Sequence, residues 1–534
     1  MSSSIPPFEA TAVDEIPGAV ETLRTTYMGL RTKDIQFRLV QLRKLYWAVE
    51  DNSALLEAAL MKDLRKCKHD AILTELNWVK TEILDMVKNL EKWSKDESIV
   101  GLPITFWPMK HRIRHEPLGV VLVIGAFNYP VQLNLVPAIG AIAAGNTVLL
   151  KPSEHSEATA MVLKKIFDES LDPECYKCVN GALPVSQALL EQKYDKIVFT
   201  GGRAVGTIVA KKAAETLTPT LLELGGQNPA FVTKNTNVKM AARRLLWAKC
   251  VNAGQICLSQ NYALVERSIV SEFIAELNRT LKTFMPNGTK ESPDFCRIVN
   301  KSSFHRLKKM IDSSRGKIVL GGAMDEDELF IEPTVVLTED LDDSMITEES
   351  FGPIWSIVPV DDIDQAISIA NKIDPTPLAL FTFGSDAENQ KIINSVTSGG
   401  ATINDGFTHA STPQAPLGGV GGSGNGNYHG YYSFKAFSHQ RNIAQVPNWA
   451  DKVLRVRYMP FNKSDLSQYL KLSSKKPNFD RAGNVKRGLG YWLGFVLGLG
   501  GKSAKGAVAR WGFLSVLVAI SIELKRRNVI GLQL

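Results

Sequence analysis

The sequence predicts an α/β fold with parallel sheet at its centre, and three observations carry that prediction. Apolar runs of strand length (120–124, 147–150, 196–200) alternate with longer segments of helical periodicity (136–144, 158–167, 205–216), as βαβ units require. The alternation resumes after residue 223, with helices expected near 240–250 and 269–284 and strands near 262–265 and 334–337. Glycines fall where strands end, at Gly201, Gly202, Gly225 and Gly226, so the backbone can turn tightly and approach a ligand at the sheet's carboxyl edge.

Taken in order, the first thirty residues are polar and contain proline, which reads as a loosely held arm. Leu39, Leu42, Tyr46 and Val49 then recur at helical spacing, and Asp51-Asn52-Ser53 offers caps for a second helix carrying Leu55, Leu56, Ala59 and Leu60. This helical start is expected to pack on the later sheet, across a proline-bearing passage at 102–117. The glycine-rich passage 416–426 is too poor in side chains to build a core and reads as a loop. Residues 464–484 are mostly polar, and two apolar blocks follow, 488–501 and 511–522, separated by Lys502 and Lys505. Gly490, Gly494 and Gly498 share one helical face of the earlier block, a spacing that permits close helix contact. There is no internal repeat.

A chain of 534 residues is too long for one ordinary core and predicts two or three domains. The net charge of +7 is modest and partly confined to the C-terminal end, which gives no case for nucleic-acid binding. Six cysteines (67, 175, 178, 250, 257, 296) are too few for a disulfide scaffold, and no Cys/His cluster has metal-ligand spacing. Cys175-x-x-Cys178 lacks a second pair and reads as structural. Residues 1–7 carry no basic segment with an apolar core, and residue 2 is not glycine. Neither a secretory signal nor myristoylation is expected.

Chemistry concentrates in Asn252-Ala253-Gly254-Gln255-Ile256-Cys257, read with Leu222-Glu223-Leu224-Gly225-Gly226. A cysteine nucleophile needs a nearby base and a prepared oxyanion site. Together with 117–130 (through Asn128), 145–154 (through Lys151 and Glu154), 199–206, Glu349-Ser350-Phe351-Gly352-Pro353 and 437–441, these strings resemble the aldehyde dehydrogenase superfamily. The resemblance runs from about Phe37 to Arg441 and points to the class 3 branch, which contains fatty aldehyde dehydrogenases and, in fungi, apocarotenal dehydrogenases. It implies a Rossmann-type NAD-binding domain (1–104 and 118–222), an α/β catalytic domain (223–415), a small β oligomerisation arm (105–117 and 427–460) and an apolar C-terminal tail (461–534).

By the same resemblance Cys257 is the nucleophile, Glu223 the general base for thioester hydrolysis, and Asn128 with the Cys257 backbone N–H the oxyanion site. Lys151 and Glu154 hold the adenosine ribose. Thr200, Gly201, Gly202 and Gly206 lie at the pyrophosphate, and Glu349 and Phe351 at the nicotinamide ribose and ring. The cofactor implied is NAD, with NADP possible, no metal is expected, and the assembly is expected to be a homodimer. The chain departs from the family pattern at Gly202, where Ser or Asn is usual, at Gln227, where Lys is usual, and in Ser259-Gln260-Asn261-Tyr262, where much of class 3 has Ala-Pro-Asp-Tyr.

The expected activity is oxidation of a lipid-soluble aldehyde, a fatty aldehyde or an apocarotenal, to the acid. A CoA-acylating enzyme, which needs no water-activating glutamate, and an inactive membrane scaffold are the alternatives. The stretch 511–522, flanked by Arg510 and Lys525-Arg526-Arg527, approaches the ~20 residues of a spanning helix. It predicts an anchor to a cytosol-facing membrane of the endoplasmic reticulum, mitochondrial surface or lipid droplet.

Overall fold

The computed structural model describes residues 4–473, 477–486, 488, 492, 493, 495, 497, 498 and 504–526. These form two compact units, one of Met1–Gly101 with His111–Ala444 and one of Leu102–Lys110 with Gln445–Leu534. In the larger unit the first alternating series builds a six-stranded sheet. Its order is Gly424–Asn425, Thr220–Leu224, Lys196–Gly201, Val120–Ile124, Thr147–Lys151, Tyr176–Cys178. The last five run parallel. Every residue of Val120–Ile124 and Thr147–Lys151 is buried, because helices cover both faces of a parallel sheet. Val121 and Val123 pack with Leu135 and Val162 on one face, while Val120 and Leu122 pack with Leu189 and Val209 on the other.

From Val120–Ile124 the chain steps outward to Thr147–Lys151 and Tyr176–Cys178, then returns to the other side at Lys196–Gly201. The reversal creates a topological switch point between Val120–Ile124 and Lys196–Gly201. In open α/β sheets ligands bind beyond the carboxyl ends of the strands at such a point. The helices Ile35–Asp51, Ser53–Leu64 and Asn77–Trp93 pack on the helix Gln132–Ala144 through one shared core, as the apolar spacing of Leu39 to Leu60 predicts.

The first thirty residues are not a loose arm. Glu15–Met28 is a helix whose Ile16, Val20 and Leu23 are buried in the core with Val120, Leu122 and Leu149. Thr11 N–H donates to the Asn180 carbonyl (2.8 Å). Pro17 reads as a breaker in the sequence, but it sits in the first turn of the helix, where a missing N–H costs nothing.

The second series forms a seven-stranded sheet in the order Lys317–Leu320, Thr334–Leu337, Ile354–Val360, Tyr262–Glu266, Pro229–Val232, Ala379–Phe383, Gly400–Ile403. It is parallel except at Lys317–Leu320. Val238–Cys250 and Val270–Phe284 are the expected helices. The glycine-rich passage is not wholly a loop, since Gly424 and Asn425 pair with Glu223 and Leu222. Gly424 has φ +135°, and a Cβ there would collide with the Leu222 carbonyl. Glycine is what lets the chain close over Glu223.

Glu97–Ser98, Arg112–Pro117 and Ser438–Ile443 make a small antiparallel sheet. Gly430–Ala436, between it and the glycine-rich passage, is a helix whose Phe434 joins the core around Leu135. In the smaller unit, Ala504–Arg526 is a helix, and Gly506–Glu523 within it is long and apolar enough to cross a membrane, with none of it buried. This stretch exceeds the expected 511–522. Arg510 donates to the Gly498 carbonyl (2.8 Å) and Trp511 Nε1 to that of Leu497 (2.6 Å). Gly490, Gly494, Lys502 and Arg527 lie outside the described residues.

Candidate active site

The site residues gather where the first sheet ends and the second begins. Glu223 closes the strand Thr220–Leu224, Asn128 follows Val120–Ile124, Cys257 precedes Tyr262–Glu266, and Glu349 precedes Ile354–Val360. Cys257 leaves a strained turn. Asn252 (φ +51°), Ala253 (φ +51°) and Gly254 (φ +67°) are consecutively left-handed, a conformation costing about 1–3 kcal/mol at each non-glycine position. Hydrogen bonds hold it: Asn252 Nδ2 donates to the Asn128 carbonyl (2.9 Å), and Gln255 Nε2 donates to the carbonyls of Asn252 (3.1 Å) and Arg297 (3.0 Å). A Cβ at Gly254 would collide with the Gly352 carbonyl. Asn228 Nδ2 donates to the Cys257 carbonyl (2.7 Å).

Burial raises the pKa of both Cys257 and Glu223. Burial, reinforced by the nearby carboxylates of Glu223 and Glu349, pushes the Cys257 thiol up to about 12, against a weaker downward pull from the backbone N–H groups of Cys257 and Leu258. Glu223 is 5% exposed, and its Oε1 has no hydrogen-bond partner. Burial alone lifts it well above the usual carboxylate range. Tyr428, buried within charge range of both Glu223 and Cys257, is a member of the site that sequence reasoning missed. The glycine-rich run just before it was the available signal.

Asn128 is buried, and its amide Nδ2 donates to the Gln255 carbonyl (2.9 Å). An amide nitrogen carries two donors, and Gln255 takes one. The Glu349 carboxylate rests on Gly225, where a Cβ would collide with it. Burial raises Glu349 to about 7 against opposition from the Gly226 N–H, Arg306 and Lys249. Lys249, also missed from the sequence, is buried, donates to the Gly352 carbonyl (3.2 Å) and is lowered by burial to about 7. Phe351 (φ +46°) places its ring 5.8 Å from that of Phe127.

The residues expected at a dinucleotide lie around the switch point. Lys151 Nζ meets Glu154 Oε2 at 2.6 Å. Burial opposes ionisation of Glu154, but the hydrogen bond and charge of Lys151 outweigh it and hold the carboxyl below its ordinary range. Thr200 and Gly201 end Lys196–Gly201. Gly202 is the N-cap of Arg203–Glu215 without a side-chain cap, and a Cβ there would meet nothing within 4 Å. Residues 202–205 are all exposed, so this helix start is open to solvent, and a helix N-terminus suits a phosphate. At Gly206 a Cβ would press on the Leu224 side chain (2.5 Å), so glycine there also lets the helix pack closely on the strand. Among the described residues there is no His/Cys/Asp/Glu group able to hold a metal.

Two departures from the family pattern meet. Asn261 Nδ2 donates to Gln227 Oε1 (2.9 Å) and to the Glu348 carbonyl (3.2 Å), while Asn261 Oδ1 accepts from Ser350 N–H (2.7 Å). The neutral Gln227–Asn261 pair thus grips the backbone on both sides of Glu349.

A sequence profile described as the aldehyde dehydrogenase family matches residues 3–443. The chain is 61% identical over 526 residues to a beta-apo-4'-carotenal oxygenase of Gibberella fujikuroi, covering 98% of this chain and 97% of that protein. It is 51% identical over 525 residues to a protein of the same description from Neurospora crassa, covering 98% of each. Among solved structures, the substrate-bound state of Staphylococcus aureus AldH superposes with a TM-score of 0.79 at 37% identity, covering 83% of this chain and 98% of that one. With a half-buried cysteine and a buried glutamate at the junction of two parallel sheets and a match that spans most of its length, the chain belongs to the aldehyde dehydrogenase family.

Proposed function

We propose that the chain oxidises a long apolar aldehyde to its carboxylic acid, with Cys257 as nucleophile, Glu223 as base and NAD as the electron acceptor. The family uses NAD or NADP. One observation carries the reading: half-buried Cys257 and buried Glu223 lie within charge range of each other, and Glu223 keeps one oxygen unpartnered.

Once its thiol proton has passed to solvent, Cys257 Sγ adds to the aldehyde carbon, and the carbonyl oxygen takes the charge beside the Asn128 amide and the Cys257 N–H. A nicotinamide ring, when bound, supplies the hydride acceptor. The thioester left on Cys257 is cleaved by a water whose proton goes to Glu223, which frees the acid and the thiol. The raised pKa of Glu223 suits it to accept that proton. Glu223→Gln is expected to release up to one equivalent of NADH per site and stall, and Cys257→Ala to release none. Stopped-flow absorbance measures both, and steady turnover by Cys257→Ala would contradict the mechanism.

Support for an apolar substrate comes from the β-apo-4'-carotenal named in both fungal relatives and from the apolar helix Gly506–Glu523. A fatty aldehyde satisfies the same chemistry. That helix spans about 27 Å at 1.5 Å per residue, close to the ~30 Å hydrocarbon core, and supports attachment to a cytosol-facing membrane. Preference for NAD over NADP is supported by Glu154, held ionised by Lys151, and by Asp63 and Glu157, which line the same cavity of about 310 Å³ with Lys62. Two charges ~4 Å apart interact by about 1–4 kcal/mol, so kcat/KM should favour NAD by roughly tenfold or more. Equal values for the two cofactors would contradict this.

The two sheets support the division into cofactor-binding (1–104 and 118–222) and catalytic (223–415) domains, whereas Gly430–Ala436 packs with the first core rather than with an arm. The largely exposed strand Ser438–Ile443 pairs on one side only and supports a homodimer formed by adding a second copy there.

A further inference from the structure

Lys66 and Glu75 form an ion pair with no side-chain exposure (2.6 Å), and neither takes part in the chemistry above. Removing two charges from water costs more than their attraction commonly returns unless their remaining polar atoms are also satisfied. Lys66 Nζ donates to the backbone carbonyl of Asn128 (3.1 Å) and lies 4.1 Å from the centroid of the Tyr129 ring. Glu75 Oε2 accepts from the N–H groups of Val131 (2.8 Å) and Gln132 (3.1 Å). The pair therefore grips the segment 128–132 at every residue but Pro130.

Local structure puts the two charges there. Arg65 turns left-handed (φ +53°) at the end of Ser53–Leu64 and sends Lys66 inward. Glu75 lies in a π-helical turn, Ile72–Leu76, an irregularity frequent at functional sites. On its other side Asn128 is tied to the cysteine turn, accepting from Asn252 and donating to Gln255.

We propose that Lys66–Glu75 is a positioning pair that fixes the Asn128 backbone and so aims its amide at the oxygen developing on Cys257-bound substrate. This rests on Asn128 being the oxyanion donor. A donor misplaced by about 1 Å loses on the order of 10²-fold in rate.

The test uses full-length enzyme, NAD and hexanal, with the NADH burst followed by stopped flow. Lys66→Met and the double variant Lys66→Met/Glu75→Met are measured in the wild-type and Asn128→Ala backgrounds, with folding checked by thermal melting. The double variant leaves no unpaired buried charge and so keeps the test open if the single variant does not fold. Both variants should slow the wild-type burst by about 10- to 100-fold yet slow Asn128→Ala by less than ~2-fold, because the aim of a missing amide no longer matters. A folded double variant that bursts at the wild-type rate would overturn the proposal, as would equal slowing in both backgrounds. Asn128→Ala bursting at the wild-type rate would instead refute the oxyanion reading, and the proposal with it.

Discussion

The proposed nucleophile Cys257 has a raised thiol pKa, which should make its reactivity strongly pH-dependent. An ordinary cysteine ionises near 8.5, whereas burial and the neighbouring carboxylates put Cys257 at about 12. Below its pKa the thiolate fraction rises tenfold per pH unit, so alkylation of cofactor-free enzyme by iodoacetamide should keep climbing through pH 10. Glu223→Gln removes one repelling charge and should move the curve to lower pH. A plateau near pH 8.5 would contradict this electrostatic picture. At Gln227, introducing lysine alone removes the acceptor used by Asn261 and should raise the KM for NAD several-fold, while Gln227→Lys with Asn261→Asp restores the link as an ion pair and should recover much of it. A double variant worse than Gln227→Lys would argue against the coupling. Cys257, Glu223 and Glu349 are legible in the sequence because residue type and local motif suffice to pick them out. Lys66 and Gln255 are not, since the contacts that give them meaning span 62 residues to Asn128 and 127 residues from it.

The strands Val120–Ile124, Thr147–Lys151, Lys196–Gly201, Tyr262–Glu266 and Thr334–Leu337 could be placed within a few residues because they are short, almost wholly buried apolar runs. Val120–Ile124, for example, is buried at every position. Pro229–Val232, Ile354–Val360, Ala379–Phe383 and Gly400–Ile403 were not picked out. The helix Glu15–Met28 escaped because only three of its residues face the core, spaced among threonines and acids that look like a solvated tail. Its burial gives a direct check. Leu23→Ala should cost about 2–5 kcal/mol and lower the melting midpoint, whereas an unchanged midpoint would mean that the segment is the loose arm its composition resembles. The glycine-rich passage escaped for another reason: Gly424–Asn425 pairs with Leu222–Glu223 from 200 residues away, and no local pattern marks a strand two residues long.

At the scale of the whole molecule, the tail and the chemistry are separable claims. Removing residues 486–534 should shift the protein from a carbonate-resistant membrane pellet to the soluble fraction while activity on a short aldehyde largely persists. Full-length protein found soluble after gentle lysis would contradict the anchor. The central claim, a cysteine-dependent oxidation of long apolar aldehydes, is tested most directly by kcat/KM for NADH formation by detergent-solubilised full-length enzyme across short alkanals, hexadecanal and β-apo-4'-carotenal, beside Cys257→Ala. The account predicts values that rise from the short alkanals to the long apolar aldehydes, formation of the matching acid, and no NADH from Cys257→Ala. Absence of aldehyde-dependent NADH with every substrate, or equal turnover by Cys257→Ala, would contradict it.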